Sequence, residues 1–127
     1  MFANLPILIV EDECFVALDL SDAIEAWNGR VIGPVATVAD ALALVETMPI
    51  AAAVLDATLA DRDVTPLAMR LTEKGVPFVI HTGTGIPDEL EAELPNLPVV
   101  MKPNQPAIVL ACLLNEIRGP RQQHLLR

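Results

Sequence analysis

Five polar residues stand directly after short apolar runs, in an order that suits phosphoryl chemistry. Glu11 and Asp12 follow Ile7-Leu8-Ile9-Val10, and Asp56 follows Ala52-Ala53-Val54-Leu55. Thr82 closes the run begun by Phe78-Val79-Ile80, and Lys102 follows Val99-Val100-Met101. Three carboxylates in one crevice would repel each other, and some would take up protons. A Mg²⁺ ion relieves this, because it seeks oxygen ligands and keeps several waters. Glu11, Asp12 and Asp56 supply the carboxylates, and the backbone carbonyl of Thr58 is placed to complete the shell. Asp56 is then the candidate nucleophile, since a carboxylate can attack phosphorus to give an acyl phosphate. Lys102 offers a compact positive charge for one phosphoryl oxygen. The Thr82 hydroxyl can donate to another.

Such convergence needs the ends of adjacent strands on one edge. The chain alternates strand and helix signals throughout. Strands are expected at about 6–10, 31–35, 50–55, 76–81 and 98–101. Helices are expected at about 14–27, from Val38 to Met48-Pro49, from Thr65-Pro66 to Lys74-Gly75, at 88–94 and at 106–118. In the first helix Val16, Leu20, Ala23, Ile24 and Trp27 share one face, and Asn28-Gly29 ends it. Pro34 suits an edge strand. The run 50–55 is continuously apolar, as in a strand covered on both faces. Uninterrupted β-α units predict an α/β fold with a doubly wound parallel sheet and helices on both faces. Strand order 2-1-3-4-5 makes strands one and three neighbours at the switch point, where ligands bind.

Composition limits the alternatives. The 127 residues fit one domain, with an expected core of about 5–118 and a tail of 119–127, and no effector domain is expected within them. Hydrophobic residues make up 53%, enough for a full core. The formal charge of −9 opposes nucleic-acid binding. No apolar run approaches a membrane span of about 20 residues. No basic segment precedes Ile7 as in a signal peptide, so the expected location is cytoplasmic. Cys14 and Cys112 have no metal-ligand spacing and are expected as small buried or half-buried hydrophobes.

The acid pair, the lone Asp56, Thr82 and Lys102-Pro103 together resemble the receiver domain of two-component response regulators, over about residues 5–118. That resemblance implies a flavodoxin-like fold, a Mg²⁺ cofactor and a phosphoryl group taken from a histidine kinase or histidine phosphotransfer protein. It makes Glu11 and Asp12 the metal acids, Asp56 the phosphoacceptor, Thr82 the switch hydroxyl and Lys102 the phosphate-sensing lysine. It implies a signalling protein that assists its own phosphorylation and dephosphorylation, not a turnover enzyme. The segment from Pro77 to Gly83 is similar to the FAT GUY receivers, often single-domain proteins linked to alphaproteobacterial kinases. Pro77, Phe78, Thr82 and Gly83 match their Pro-Phe-x-Phe-Ala-Thr-Gly, while Ile80 and His81 depart from it. A second departure is Val99, where most receivers carry an aromatic three residues before the lysine. The Thr82-Gly83-Thr84-Gly85 loop is the remaining candidate for a switch. In most receivers the bond corresponding to Lys102-Pro103 is cis.

Plainer readings exist beside these. Acids after a strand are often helix N-caps, and that would hold for Glu11-Asp12 in isolation. His81 is expected to face the neighbouring helix, because alternation turns it away from Thr82. The fifth helix is apolar on every face through 107–114, which points to a homodimer or docked partner, or to coverage by the tail at 121–127. The rival functions are a pseudo-receiver that acts unphosphorylated and, behind it, a hydrolase with an aspartyl nucleophile. In haloacid dehalogenase-like hydrolases, however, the nucleophile follows the first strand.

Overall fold

Alternation of side chains between the two faces of the sheet sets the layers of the molecule. The computed structural model describes the backbone of residues 1–125 and the side chains of residues 1–119. Strands β1 (Pro6–Val10), β2 (Arg30–Val35), β3 (Ala52–Leu55), β4 (Phe78–Thr82) and β5 (Val99–Met101) form one sheet. Its order is β2-β1-β3-β4-β5, and every neighbouring pair is parallel. Helices α1 (Cys14–Ala26), α2 (Val38–Thr47), α3 (Thr65–Glu73), α4 (Asp88–Glu93) and α5 (Pro106–Leu125) form the crossovers and the last layer. The expected doubly wound sheet is therefore present.

Period-two alternation divides the core between the two faces. On one face Ile7, Ile9, Val54 and Val79 meet Leu20 and Ile24 of α1 and Val109, Leu110 and Leu113 of α5. On the other, Leu8, Val10, Leu55 and Ile80 meet Val45 of α2, Leu67 and Leu71 of α3 and Leu90 of α4. β2 is an edge strand, and it accommodates Pro34 as expected. The pairing of β2 with β1 is irregular between Leu8 and Val10.

Local chemistry starts and stops the helices. Thr37 Oγ1 accepts from Asp40 N at 3.1 Å and caps α2. Asp61, far along the chain, adds bonds from Val38 N at 2.8 Å and Ala39 N at 3.1 Å. The loop after β3 is thereby tied to the start of α2. Asn28 and Gly29 end α1: Asn28 takes φ 65°, and Gly29 N donates to Ile24 O at 2.8 Å. A Cβ at Gly29 would fall 2.7 Å from Ile24 Cγ2, so only glycine permits that approach. Trp27 then stacks at a tilt on buried Phe2, ring centroids 6.1 Å apart.

The structure corrects some expectations. Cys14 is exposed, because it is the first residue of α1 and lies off the face that Leu20 and Ile24 bury. Cys112 is half-buried, as expected. β3 begins at Ala52, two residues later than expected, and β4 extends to Thr82. The stop expected at Gly119-Pro120 does not end α5, which continues to Leu125. A proline removes one helical hydrogen bond and strains one turn, so it can sit within a helix as well as end one. The α5 surface is one-sided: Val109, Leu110 and Leu113 are buried, while Ala107, Ile108 and Ala111 are exposed. The expected tail at 121–127 lies outside the described side chains. No helix among the described residues is long and apolar enough to cross a membrane.

Leu55 is fully buried at the centre of the sheet. Leu55→Ala should lower the unfolding free energy by about 2–5 kcal/mol, read from urea denaturation, without changing the secondary structure seen by circular dichroism.

Candidate functional site

Three backbone bonds bring the strand ends together. Asp56 N donates to Val10 O at 2.9 Å, which fastens the end of β3 to the end of β1. Glu11 N donates to Val35 O at 2.9 Å, and Lys102 N to Thr82 O at 2.7 Å. The polar residues expected from the sequence therefore lie along one edge. One oxygen each of Glu11, Asp12 and Asp56 lies within 4.8 Å of the others. Glu11 and Asp56 are buried and Asp12 is exposed.

Lys102 closes this cluster. Its Nζ lies 2.9 Å from Glu11 Oε1, 3.3 Å from Asp56 Oδ2 and 3.3 Å from Glu13 Oε2. Burial works against the Lys102 charge, but the pairs with Glu11 and Asp56 outweigh it and raise its pKa. The ammonium is therefore fully charged. Burial pushes the Glu11 carboxyl up to about 7, against the lowering effect of Lys102 and of the Glu13 N–H. Glu11 thus sits at the edge of ionisation. Hard oxygen donors with surplus negative charge suit a small divalent cation such as Mg²⁺.

Thr82 adjoins Lys102 through the Lys102 N to Thr82 O bond. Thr82 is fully buried, and its hydroxyl serves its own loop: Thr84 N donates to Oγ1 at 3.1 Å, and Gly85 O accepts at 3.3 Å. Thr58 pairs with Asp63 in an isolated antiparallel bridge. That bridge uses Ala57 O and Leu59 N, so the Thr58 carbonyl takes no part in it. Lys102-Pro103 is cis. Val99 is 36% exposed on β5. His81 does point to the other face of β4; it is buried, and neither ring nitrogen has a partner among the described residues. Burial, then the Lys102 charge, lowers its pKa and keeps the ring neutral. It lines a cavity of about 430 Å³ between α1 and the loop after β5, with Val16, Leu20, Lys102 and Pro103.

Sequence reasoning missed three features. Glu13 reaches Lys102 across 89 positions, and only its place beside the acid pair hinted at this. Asp61 stabilises the loop after Asp56 by capping α2. Phe15 and Leu18 are 82% and 54% exposed on the first turns of α1, an apolar pair at i, i+3 that the helical pattern does contain.

Comparison with known structures agrees with this fold. SdrG from Sphingomonas melonis Fr1 is 41% identical, with a TM-score of 0.73. The alignment covers 90% of this chain and 99% of SdrG. The response regulator PhyR from Brucella abortus is 26% identical with a TM-score of 0.77, over 95% of this chain and 51% of PhyR. The HemR receiver domain from Leptospira biflexa is 28% identical with a TM-score of 0.75, over 89% of this chain and 94% of that domain. The chain belongs to the response regulator receiver domains. No protein-family model matches the sequence, and no curated protein does. As a receiver it carries its acids, threonine and lysine at the C-terminal ends of β1, β3, β4 and β5, the edge where open α/β sheets bind ligands.

The raised Glu11 pKa has a definite sign. Between about 4.5 and about 7 the folded receiver holds more protons at Glu11 than the unfolded chain does. Through this group, the metal-free fold should lose stability as pH rises through that window. Glu11→Gln should remove the loss and stabilise the protein by roughly 1–3 kcal/mol at pH 8, with little effect at pH 4.5. Urea denaturation at both pH values checks this; equal effects at the two would contradict it.

Proposed function

We propose that this receiver, a single domain over 1–127, takes a phosphoryl group from a phosphohistidine onto Asp56. The donor is a sensor histidine kinase or a histidine phosphotransfer protein. One observation carries the reading: Lys102 Nζ lies 3.3 Å from Asp56 Oδ2 at the edge of the Glu11, Asp12 and Asp56 cluster. On this reading Asp56 is the nucleophilic carboxylate, Glu11, Asp12 and Asp56 the metal-binding set, and Lys102 the phosphate-sensing charge.

In the reaction an Asp56 oxygen attacks phosphorus and the donor's P–N bond breaks. The electron pair of that bond returns to the imidazole nitrogen, and an acyl phosphate forms. Glu11, Asp12, Asp56 and the Thr58 carbonyl would hold Mg²⁺, which when bound neutralises charge on the phosphoryl oxygens. Lys102 pairs with one phosphoryl oxygen. Thr82 donates to another after its hydroxyl leaves the Thr84 and Gly85 contacts. Release of those contacts moves the loop after β4, a route to the surface that requires no aromatic at Val99. SdrG has also been solved in a BeF3-activated conformation, and we extend activation of this kind to the present chain.

The output is a protein contact. Exposed Phe15 and Leu18 beside the acid pair suit a docking partner, as does exposed Ile108 on α5 for a target or a second copy. The net charge of −9 opposes nucleic acid. A kinase donor agrees with reading the protein as a cytoplasmic signalling acceptor and not as a turnover enzyme. Val99 favours one rival, an unphosphorylated interaction module.

Transfer from a phosphotransfer protein carrying labelled phosphohistidine separates the two readings. Wild type should take the label and Asp56→Asn should not, with both folded by circular dichroism. Label persisting on Asp56→Asn would overturn the nucleophile assignment. Lys102→Ala should still bind Mg²⁺ but lose the conformational response to the phosphoryl group.

A further inference from the structure

Of the carboxylates around Lys102, Glu13 alone stands outside the cation cluster. Lys102 Nζ contacts Glu11, Asp56 and Glu13 at 2.9, 3.3 and 3.3 Å. The oxygens that converge for a cation belong to Glu11, Asp12 and Asp56. A cation held by those oxygens competes with Lys102 for Glu11 and Asp56. It makes no claim on Glu13. The Glu13 contact is also at the mouth of the site: its side chain is 61% exposed, against 2% for Glu11. Its backbone is fixed in place, because Glu13 N donates to Glu11 Oε2 at 3.1 Å. A group entering the crevice therefore arrives beside the Lys102–Glu13 pair.

We propose that Glu13 is a positioning residue that holds the Lys102 ammonium in the metal-loaded, unphosphorylated site. An incoming phosphoryl oxygen must displace Glu13 to reach Lys102. The inference rests on the metal and phosphoacceptor reading above. It makes Glu13 a brake: the carboxylate and the phosphoryl group compete for one ammonium. The brake is weak, because a partly exposed ion pair contributes little in water. Its strength falls with added salt, which screens exposed charges more than buried ones.

Glu13→Gln tests this, with Glu25→Gln as the control. Glu25 is exposed near the far end of α1, about 18 Å along the helix axis from Glu13, the residue that precedes α1, so it matches the charge change alone. The first readout is the NMR signal of the Lys102 ammonium and ε-methylene in saturating Mg²⁺. It should shift in Glu13→Gln and stay in place in Glu25→Gln. The second is the rate of phosphoryl gain from acetyl phosphate in Mg²⁺, expected to rise about two- to five-fold in Glu13→Gln only. An unmoved Lys102 signal with an unchanged rate would overturn the role of Glu13. Equal changes in both variants would overturn it too, as an effect of net charge. Failure of the wild-type carboxylate signals to respond to Mg²⁺ would instead overturn the metal reading, and this inference with it.

Discussion

A single ammonium group at the end of β5 balances carboxylates at the ends of β1 and β3. Without Lys102, buried Glu11 and Asp56 would face each other with no compensating charge, a costly arrangement in a crevice largely shielded from water. The proton-holding tendency of Glu11 shows that the balance is incomplete even with the lysine present. Surplus negative charge is a poor feature for stability and a useful one for holding a divalent cation. Stability and the capacity to hold a cation therefore pull against each other at this edge.

The sheet exists, from the point of view of this site, to hold those charges in register. β1 lies between β2 and β3, so the acid pair and Asp56 emerge side by side. β4 lies between β3 and β5 and separates Asp56 from the base of Lys102. The long lysine side chain spans that gap. Apolar packing on both faces makes the strand ends rigid, and the loops that follow them carry the adaptable parts. The loop after β3 is tethered through Asp61 to α2, whereas the loop after β4 is held by weaker hydroxyl contacts from Thr82. The second loop is the softer of the two.

Much of this was legible in the sequence. Apolar runs bounded by turn residues marked every strand, and the candidate site residues stood at their ends, so the topology alone brought Glu11, Asp12, Asp56 and Lys102 together. Pro34 announced the edge strand. What stayed hidden depended on side-chain direction and long-range contact. Nothing local tells Glu13 to reach Lys102, or Asp61 to cap α2. The direction of the Thr82 hydroxyl depends on the loop conformation. Cys14 and Phe15 belong to a helix whose buried face was read correctly, yet apolar residues off that face have no pattern that separates half-buried from exposed. The end of α5 is not legible in the sequence, because Gly119-Pro120 weakens a helix without necessarily breaking it.

The most direct measurement is the intact mass of the wild-type protein after incubation with a small phosphodonor, once with Mg²⁺ and once with EDTA. A gain of one phosphoryl group with Mg²⁺, and none with EDTA, is the expected result. No gain in Mg²⁺, from the small donor and from a phosphorylated kinase alike, would contradict a phosphoacceptor role for Asp56.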